Sequence, residues 1–375
     1  MGRIYSIDSM KCIAILIVVY FHTVTFNAAQ SEEISFSLLA FPRFVIPYFF
    51  IVSGFLFGEK VKTNLKKFNY FKSYTFNLIR LFVGWYIFYL FYDLVIGIVF
   101  ALVRGNSVKA AAVDYIKSLP DLSVIYYGVG DTAYHLWFLT ALIWSIGILF
   151  LFISINKLHL LLFISFVLNL LGLFGQTYSG IFHLPIDTRD ALFFGVFYVS
   201  LGSYISKHFE RIKPIIDKVK SMTLLYLFLF SCVLQMIESY VTVKMLNGTQ
   251  GGIGYYLSTI PLTVSLFTLL LKNKNFGKST IMASIGANTF GIYVTHILFI
   301  SMSYLTLHFF DLQKLRSHLV FNLVLTLIIF IVSHYYYLVA QNFSNGLRYV
   351  IMKEIPSIFK VMILKILRYR NRFQA

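Results

Sequence analysis

Residues 41–58 read FPRFVIPYFFIVSGFLFG. The stretch is close to the roughly 20 apolar residues that a helix needs to cross hydrocarbon. Yet it carries a permanent cation, Arg43, near one end, a proline four places on, and the small polar pair Ser53-Gly54 further along. Pro47 falls in the first turn or so, where a missing amide costs little. Arg43 fits either a snorkelling flank residue or a charge kept inside a span for function. Gly54 has no side chain, so something can come close to its backbone. That visitor could be a ligand, or a neighbouring helix recognising the Gly54–Gly58 spacing.

The rest of the chain has the same character. Of its 375 residues 58% are hydrophobic and 13% charged, about half the charged share of a soluble domain. Apolar runs recur near 8–27, 41–58, 78–103, 134–154, 158–175, 189–206, 222–243, 254–271, 285–306 and 318–340. This pattern predicts an all-α polytopic membrane protein with about ten transmembrane helices. The net charge of +17 would suggest nucleic acid in a soluble protein. Here it has a simpler cause. With the N-terminus inside, 24 Lys and Arg face the cytoplasm and 7 face outward, with Arg43 left within a span. By the positive-inside rule both termini are cytoplasmic. Residues 1–340 are expected to form the membrane domain. Residues 341–375, including IPSIFKVMILKILRYRNRF at 355–373, read as a basic interfacial helix attracted to anionic lipid. CIAILIVVYF followed by NAAQ also fits a signal peptide, although Asp8 and His22 are awkward in one. Cys12 and Cys232 both fall in spans and suggest neither a disulfide nor a metal site.

Intramembrane polar residues are the functional signal. The first span, SIDSMKCIAILIVVYFHTVTF at residues 6–26, holds Lys11 at its cytoplasmic entrance and His22 in its outer half. Eleven residues turn a helix by three turns plus about 20° and advance about 16 Å, so the two share a face. Lys11 alone fits a snorkelling flank; His22 is harder to dismiss, because ionisable groups inside spans face cavities or pathways. His135 and Trp137 stand at the outer end of the fourth span, where Trp137 also fits an interfacial belt. Tyr293 and His296 lie within the ninth, where Gly and Asn fit helix packing as well as a site. The sequence has no HExxH, no GxSxG, no glycine-rich phosphate loop and no metal-ligand cluster.

Five motifs in order resemble acyltransferase family 3: IDSMKCIAILIVVYFHT, RFVIPYFFIVSGFLF, YHLWFLTALI, LFFGVFYVSLGSYI and GANTFGIYVTH. The likeness runs from about Ile4 to about residue 340 and is greatest to stand-alone enzymes that O-acetylate surface polysaccharides, such as enterobacterial common antigen. These 375 residues hold no counterpart of the C-terminal hydrolase-like domain of some relatives. The resemblance implies acyl transfer, most simply acetyl, from cytoplasmic acetyl-CoA to a hydroxyl of an extracytoplasmic or lipid-linked glycan, in the cell membrane and without a metal. It implies His22, Arg43 and Lys11 as catalytic residues. It implies Lys11, Arg43, Ser53 and Gly54 at the donor, and His135, Trp137, Tyr293 and His296 at the acceptor. Lys11 stands where the family often has arginine, which weakens its bidentate hydrogen-bonding role. The competing class is a transporter or flippase, with His and Arg in a relay; the paired broken halves common in transporters are not seen.

The charge asymmetry makes a checkable statement. A fluorescent protein fused after residue 375 is expected to light up in the cytoplasm, and a cysteine introduced at Lys109 to react with an impermeant maleimide from outside. The opposite pattern overturns the orientation.

Overall fold

The computed structural model describes residues 2–24, 41–119, 121–246 and 254–349. Every regular element among them is helical. Ten helices carry the architecture: α1 (Tyr5–Thr23), α2 (Val45–Thr63), α3 (Lys67–Val103), α4 (Trp137–Ser154), α5 (Leu158–Gly172), α6 (Val196–Lys207), α7 (Ser221–Tyr240), α8 (Thr259–Lys272), α9 (Thr289–Phe309) and α10 (Leu319–Tyr349). The protein is an all-α polytopic membrane protein. α10 runs past residue 340 to Tyr349, and the remainder of the basic tail lies outside the described residues.

Eight of the ten expected spans are long and apolar enough to cross a bilayer. The sixth and eighth are shorter: Ala191–Lys207 and Thr259–Lys272. Helices of this length fall short of a hydrocarbon core about 30 Å thick. Of the residues just before them, Thr188, Asp190, Tyr255 and Tyr256 are buried. Non-helical backbone at membrane depth is tolerated where protein rather than lipid surrounds it. The ninth expected span also divides, into a short helix Ile281–Gly286 and α9.

The opening stretch takes the form its residues dictate. Phe41–Phe44 make a 3-10 turn that holds Arg43, and α2 begins at Val45. Pro47 is the third residue of α2, where no intrahelical amide bond is lost. The most extensive helix pairing in the molecule is α2 on α6. Gly54 backs directly onto the carbonyl of Val199, and Gly202 of α6 sits just as close to the carbonyl of Ile51. In lipid, where apolar side chains gain little by leaving hydrocarbon, such small-residue contacts let backbones approach and gain van der Waals energy. The bare face of Gly54 is therefore filled by α6. Helix packing accounts for a glycine at this position.

That pairing commits one face of α2. The opposite face, carrying Ile46, Phe49, Ser53, Leu56 and Lys60, looks toward α1. Polar bonds tie the neighbours in place: Tyr48 donates its hydroxyl to the Ile7 carbonyl of α1 at 2.9 Å, and Tyr89 of α3 donates to the Val294 carbonyl of α9 at 2.8 Å.

Because a side chain at position 54 has nowhere to go, Gly54→Leu is expected to separate α2 from α6. Overpacking of this kind costs about 1–3 kcal/mol or more, read as a lowered Tm or lost folded yield in detergent. Ser53→Ala should leave the Tm unchanged. A Gly54→Leu protein as stable as the wild type contradicts the packing role.

Candidate active site

α1 and α2 face each other across two cavities. The inner one, about 530 Å³, is lined from α1 by Ile7, Lys11, Ile15 and Val18, and from α2 by Ile46, Phe49, Ser53 and Lys60. The outer one, about 400 Å³, is lined by Val18, Phe21 and His22 of α1, by Arg43 and Ile46, and by Tyr134, Trp137 and Arg189. Both volumes are of the size that holds small molecules. Val18 and Ile46 belong to both walls. Lys11, Ile15, Val18 and His22 thus form one stripe at helical spacing, running from the inner cavity into the outer one. The shared face expected from the eleven-residue spacing is the face that lines the cavities.

At the inner mouth, the Asp8 carboxylate bridges Arg3 and Lys11, each at 2.8 Å. Arg3 also donates to the Ala283 carbonyl at 2.9 Å, joining α1 to the short helix Ile281–Gly286. Lys11 is therefore held in place by Asp8, one turn earlier on the same helix. Arg3 and Lys60 line the same cavity and bring further positive charge to its mouth. In the sequence both looked like ordinary cytoplasmic flank charges.

At the outer end, His22 is half-buried and meets other rings. Its ring centroid lies 5.3 Å from that of His296, and His296 lies 5.2 Å from His135. The three imidazoles come from α1, α9 and the 3-10 turn Thr132–Leu136. His135, expected at the outer interface, is instead buried at 2% exposure, and His296 is wholly buried. Neither is among the residues lining the two cavities. These two residues, expected to touch the acceptor, stand behind His22 instead. Nδ1 of His296 faces the Ile292 carbonyl at 3.1 Å. His135 makes no hydrogen bond of standard geometry through its ring, with backbone groups of Thr132 and Val294 beside it at longer range. Tyr293 donates its hydroxyl to the His135 carbonyl and so fastens the turn to α9; it also lines the inner cavity. Among the described residues no group of three or more His, Cys, Asp or Glu is placed to hold a metal ion.

Tyr134 carries no signal of its own that marks it in the sequence. Its hydroxyl lies 3.1 Å from Nδ1 of His22. A proton on Nδ1 donated to this oxygen leaves Nε2 of His22 as the basic nitrogen. The turn that carries Tyr134 is itself anchored: the Asp93 carboxylate of α3 accepts from the backbone N–H of Thr132 at 3.2 Å and from its hydroxyl. Arg43 lies over the ring of Phe21, 5.0 Å from its centroid, and Arg189 over Trp137 at 4.7 Å. Arg43 and His22 therefore share a cavity. Arg43 and Ser53, expected together at the donor, line different ones.

Comparison with known proteins agrees with this architecture. The model of the family described as an acyltransferase domain matches residues 4–337, and the chain belongs to that family, acyltransferase family 3. It is a multi-pass membrane member of that family. Among curated proteins it is similar to an amino-acid racemase of Enterococcus faecalis, 26% identical over 285 residues, covering 71% of this chain and 35% of that protein. It is also similar to a serine/alanine racemase of Enterococcus gallinarum, 27% identical over 253 residues, covering 62% of this chain and 32% of that one. The chain thus spans about a third of the length of these relatives. No solved structure matches it.

The Tyr134 contact has a measurable consequence. One neutral hydrogen bond contributes about 0.5–1.5 kcal/mol net, so Tyr134→Phe is expected to lower the acyl-transfer rate by up to about tenfold, with KM for the acyl donor unchanged. A wild-type rate removes the tyrosine from the site.

Proposed function

We propose that this acyltransferase moves an acetyl group from cytoplasmic acetyl-CoA to a hydroxyl of an extracytoplasmic or lipid-linked glycan, across the cell membrane in which it is embedded. The observation that carries the reading is the stripe Lys11–Ile15–Val18–His22, which lines a cavity at the basic end of α1 and a second cavity at the histidine end.

Chemistry divides naturally between the two. The inner mouth offers Arg3, Lys11 and Lys60 to the phosphates of the donor. Beyond them the walls turn apolar, with Ile15, Val18, Ile46 and Phe49 suited to a thin arm ending in a thioester. Ser53 and Tyr74 are polar groups along that wall and would supply hydroxyls to the arm's amides. At the far end His22 acts as general base. It takes the acceptor's hydroxyl proton while the oxygen attacks the thioester carbonyl. The tetrahedral intermediate carries negative charge, and Arg43 on the same cavity wall as His22 is the group placed to offset it. Collapse breaks the carbon–sulfur bond, and the thiolate of CoA leaves with the proton returned from His22. A route through an acyl-histidine would use the same nitrogen as nucleophile. Trp137 and Tyr134, on the outer wall, and Tyr293, at the edge of the inner cavity, would contact the acceptor and the transferring group. The basic tail would hold the C-terminus on the inner leaflet. The racemase names belong to proteins three times as long as the matched stretch, and no racemase chemistry is carried to this chain.

General-base catalysis contributes roughly 10²–10⁴-fold. His22→Ala is therefore expected to lose at least about a hundredfold in acetyl transfer, followed with labelled acetyl-CoA added to membranes that contain the native acceptor. Its KM for acetyl-CoA should stay near the wild-type value. A folded variant with normal turnover overturns the base assignment. A wild-type protein that moves a glycan across vesicles without releasing CoA thiol overturns the enzyme reading in favour of a carrier.

A further inference from the structure

α3 and α10 leave a groove of about 750 Å³ between them. It shares Tyr74 and Phe290 with the inner cavity and none of the residues of the α1 stripe. From α3 it takes Asn77, Arg80, Gly84, Trp85 and Phe88, and from α10 Tyr336 and Tyr337. Asn77, Arg80, Gly84 and Phe88 recur at helical spacing, so one face of α3 lines it. The groove is open at Gly84, where a side chain would meet no protein atom within 4 Å. Its opposite wall is firm. The Tyr337 ring packs on Gly291 of α9 so closely that even a methyl group there would clash.

Depth in the membrane says what can fill it. α3 is followed by Arg104, which marks one edge of the apolar span. The roughly 20 residues that cross hydrocarbon, counted back from Val103, reach Gly84. Arg80 lies one turn beyond, at the edge of the hydrocarbon, and Lys72 and Lys67 follow toward the same end. From Arg80 to Phe88 the groove descends about 12 Å, close to half of a hydrocarbon core about 30 Å thick. It therefore joins a cation at headgroup depth to an apolar and aromatic floor that runs along one leaflet. Among the described residues no carboxylate lines it, and no hydrogen bond or ion pair involves Arg80. The planar fork of arginine matches phosphate oxygens, and Asn77, one turn away, offers an amide.

We infer that this groove is a binding site for an anionic phospholipid of the leaflet at the basic end of α3, with the phosphate on Arg80 and an acyl chain laid along Gly84 and Phe88. The inference lies outside the transfer reaction and does not rest on it. Because Tyr74 and Phe290 line both spaces, the bound lipid backs the wall of the inner cavity. A basic flank attracts anionic lipid by charge alone. The groove adds shape, and the test separates shape from charge.

Purified full-length protein in neutral detergent is titrated with short-chain phosphatidylglycerol, with phosphatidylcholine of the same chain length and with glycerol phosphate, and binding is read as the shift in Tm. Phosphatidylglycerol is expected to stabilise the wild type at lower concentration than phosphatidylcholine, and glycerol phosphate to give no shift. Gly84→Trp fills the groove and leaves every charge of the chain in place, the basic residues of 341–375 included. It should require at least about fivefold more phosphatidylglycerol for the same shift. Arg80→Gln should cost about fivefold as well, the worth of one basic residue at an anionic surface, and Arg80→Lys should recover part of the loss. If Gly84→Trp fails to fold, Gly84→Leu takes its place. The inference is overturned if phosphatidylcholine acts as well as phosphatidylglycerol, or if glycerol phosphate matches the lipid, which makes the site one for free phosphate. It is equally overturned if the folded groove-filling variant binds phosphatidylglycerol like the wild type, because the attraction is then one of surface charge alone.

Discussion

The contact between the bare face of Gly54 and the Val199 carbonyl decides where α2 can lie. Together with Gly202 against Ile51, it brings two helix backbones so close that neither can turn. Within a bilayer this closeness substitutes for the hydrophobic drive that water would supply. Once α2 is committed to α6 on one side, its other side is free to face α1 across a gap. The two cavities exist because α2 is held away from α1 by what it touches behind.

Around that gap the polar groups follow a rule of the hydrocarbon interior: a buried group finds a partner or carries a task. Tyr48, Tyr89 and Tyr293 spend their hydroxyls on backbone carbonyls of neighbouring helices, joining segments far apart in sequence. Asp8 holds Arg3 and Lys11. Asp93 anchors the turn that brings Tyr134 to His22. Among the polar groups on the cavity walls are Lys11 and Ser53 inside, and His22, Arg43 and Arg189 outside. A bundle joined this way can present a half-buried imidazole at a fixed place without exposing backbone to lipid.

Under the function proposed above, the same arrangement would let one protein serve a donor on one side of a membrane and an acceptor on the other. A hole straight through would leak. In that proposal, two cavities that share Val18 and Ile46 as lining would let a thin thioester arm and an acceptor hydroxyl approach one imidazole from opposite faces, while the bulk of each molecule stays on its own side.

How much of this was legible beforehand follows from the range of each signal. Spans and the shared face of Lys11 and His22 are local: apolar run length and the 100° helical step mark them without knowing any neighbour. Which way a glycine faces is not local. Gly54 could serve a ligand or a helix equally well until the position of α6 was known. His135 and His296 looked like site residues because they are polar within spans, and only packing shows that other elements place them behind His22. Arg189 sits in an irregular stretch with no periodicity to mark its direction, and Tyr134 is one aromatic among 26 tyrosines. The sequence by itself determined a helical membrane protein with an ionisable stripe along its first helix, because hydrophobicity and helical repeat act over a few residues. Tertiary structure alone decided which residues meet across the gap, because that depends on the close contact of backbones more than a hundred residues apart.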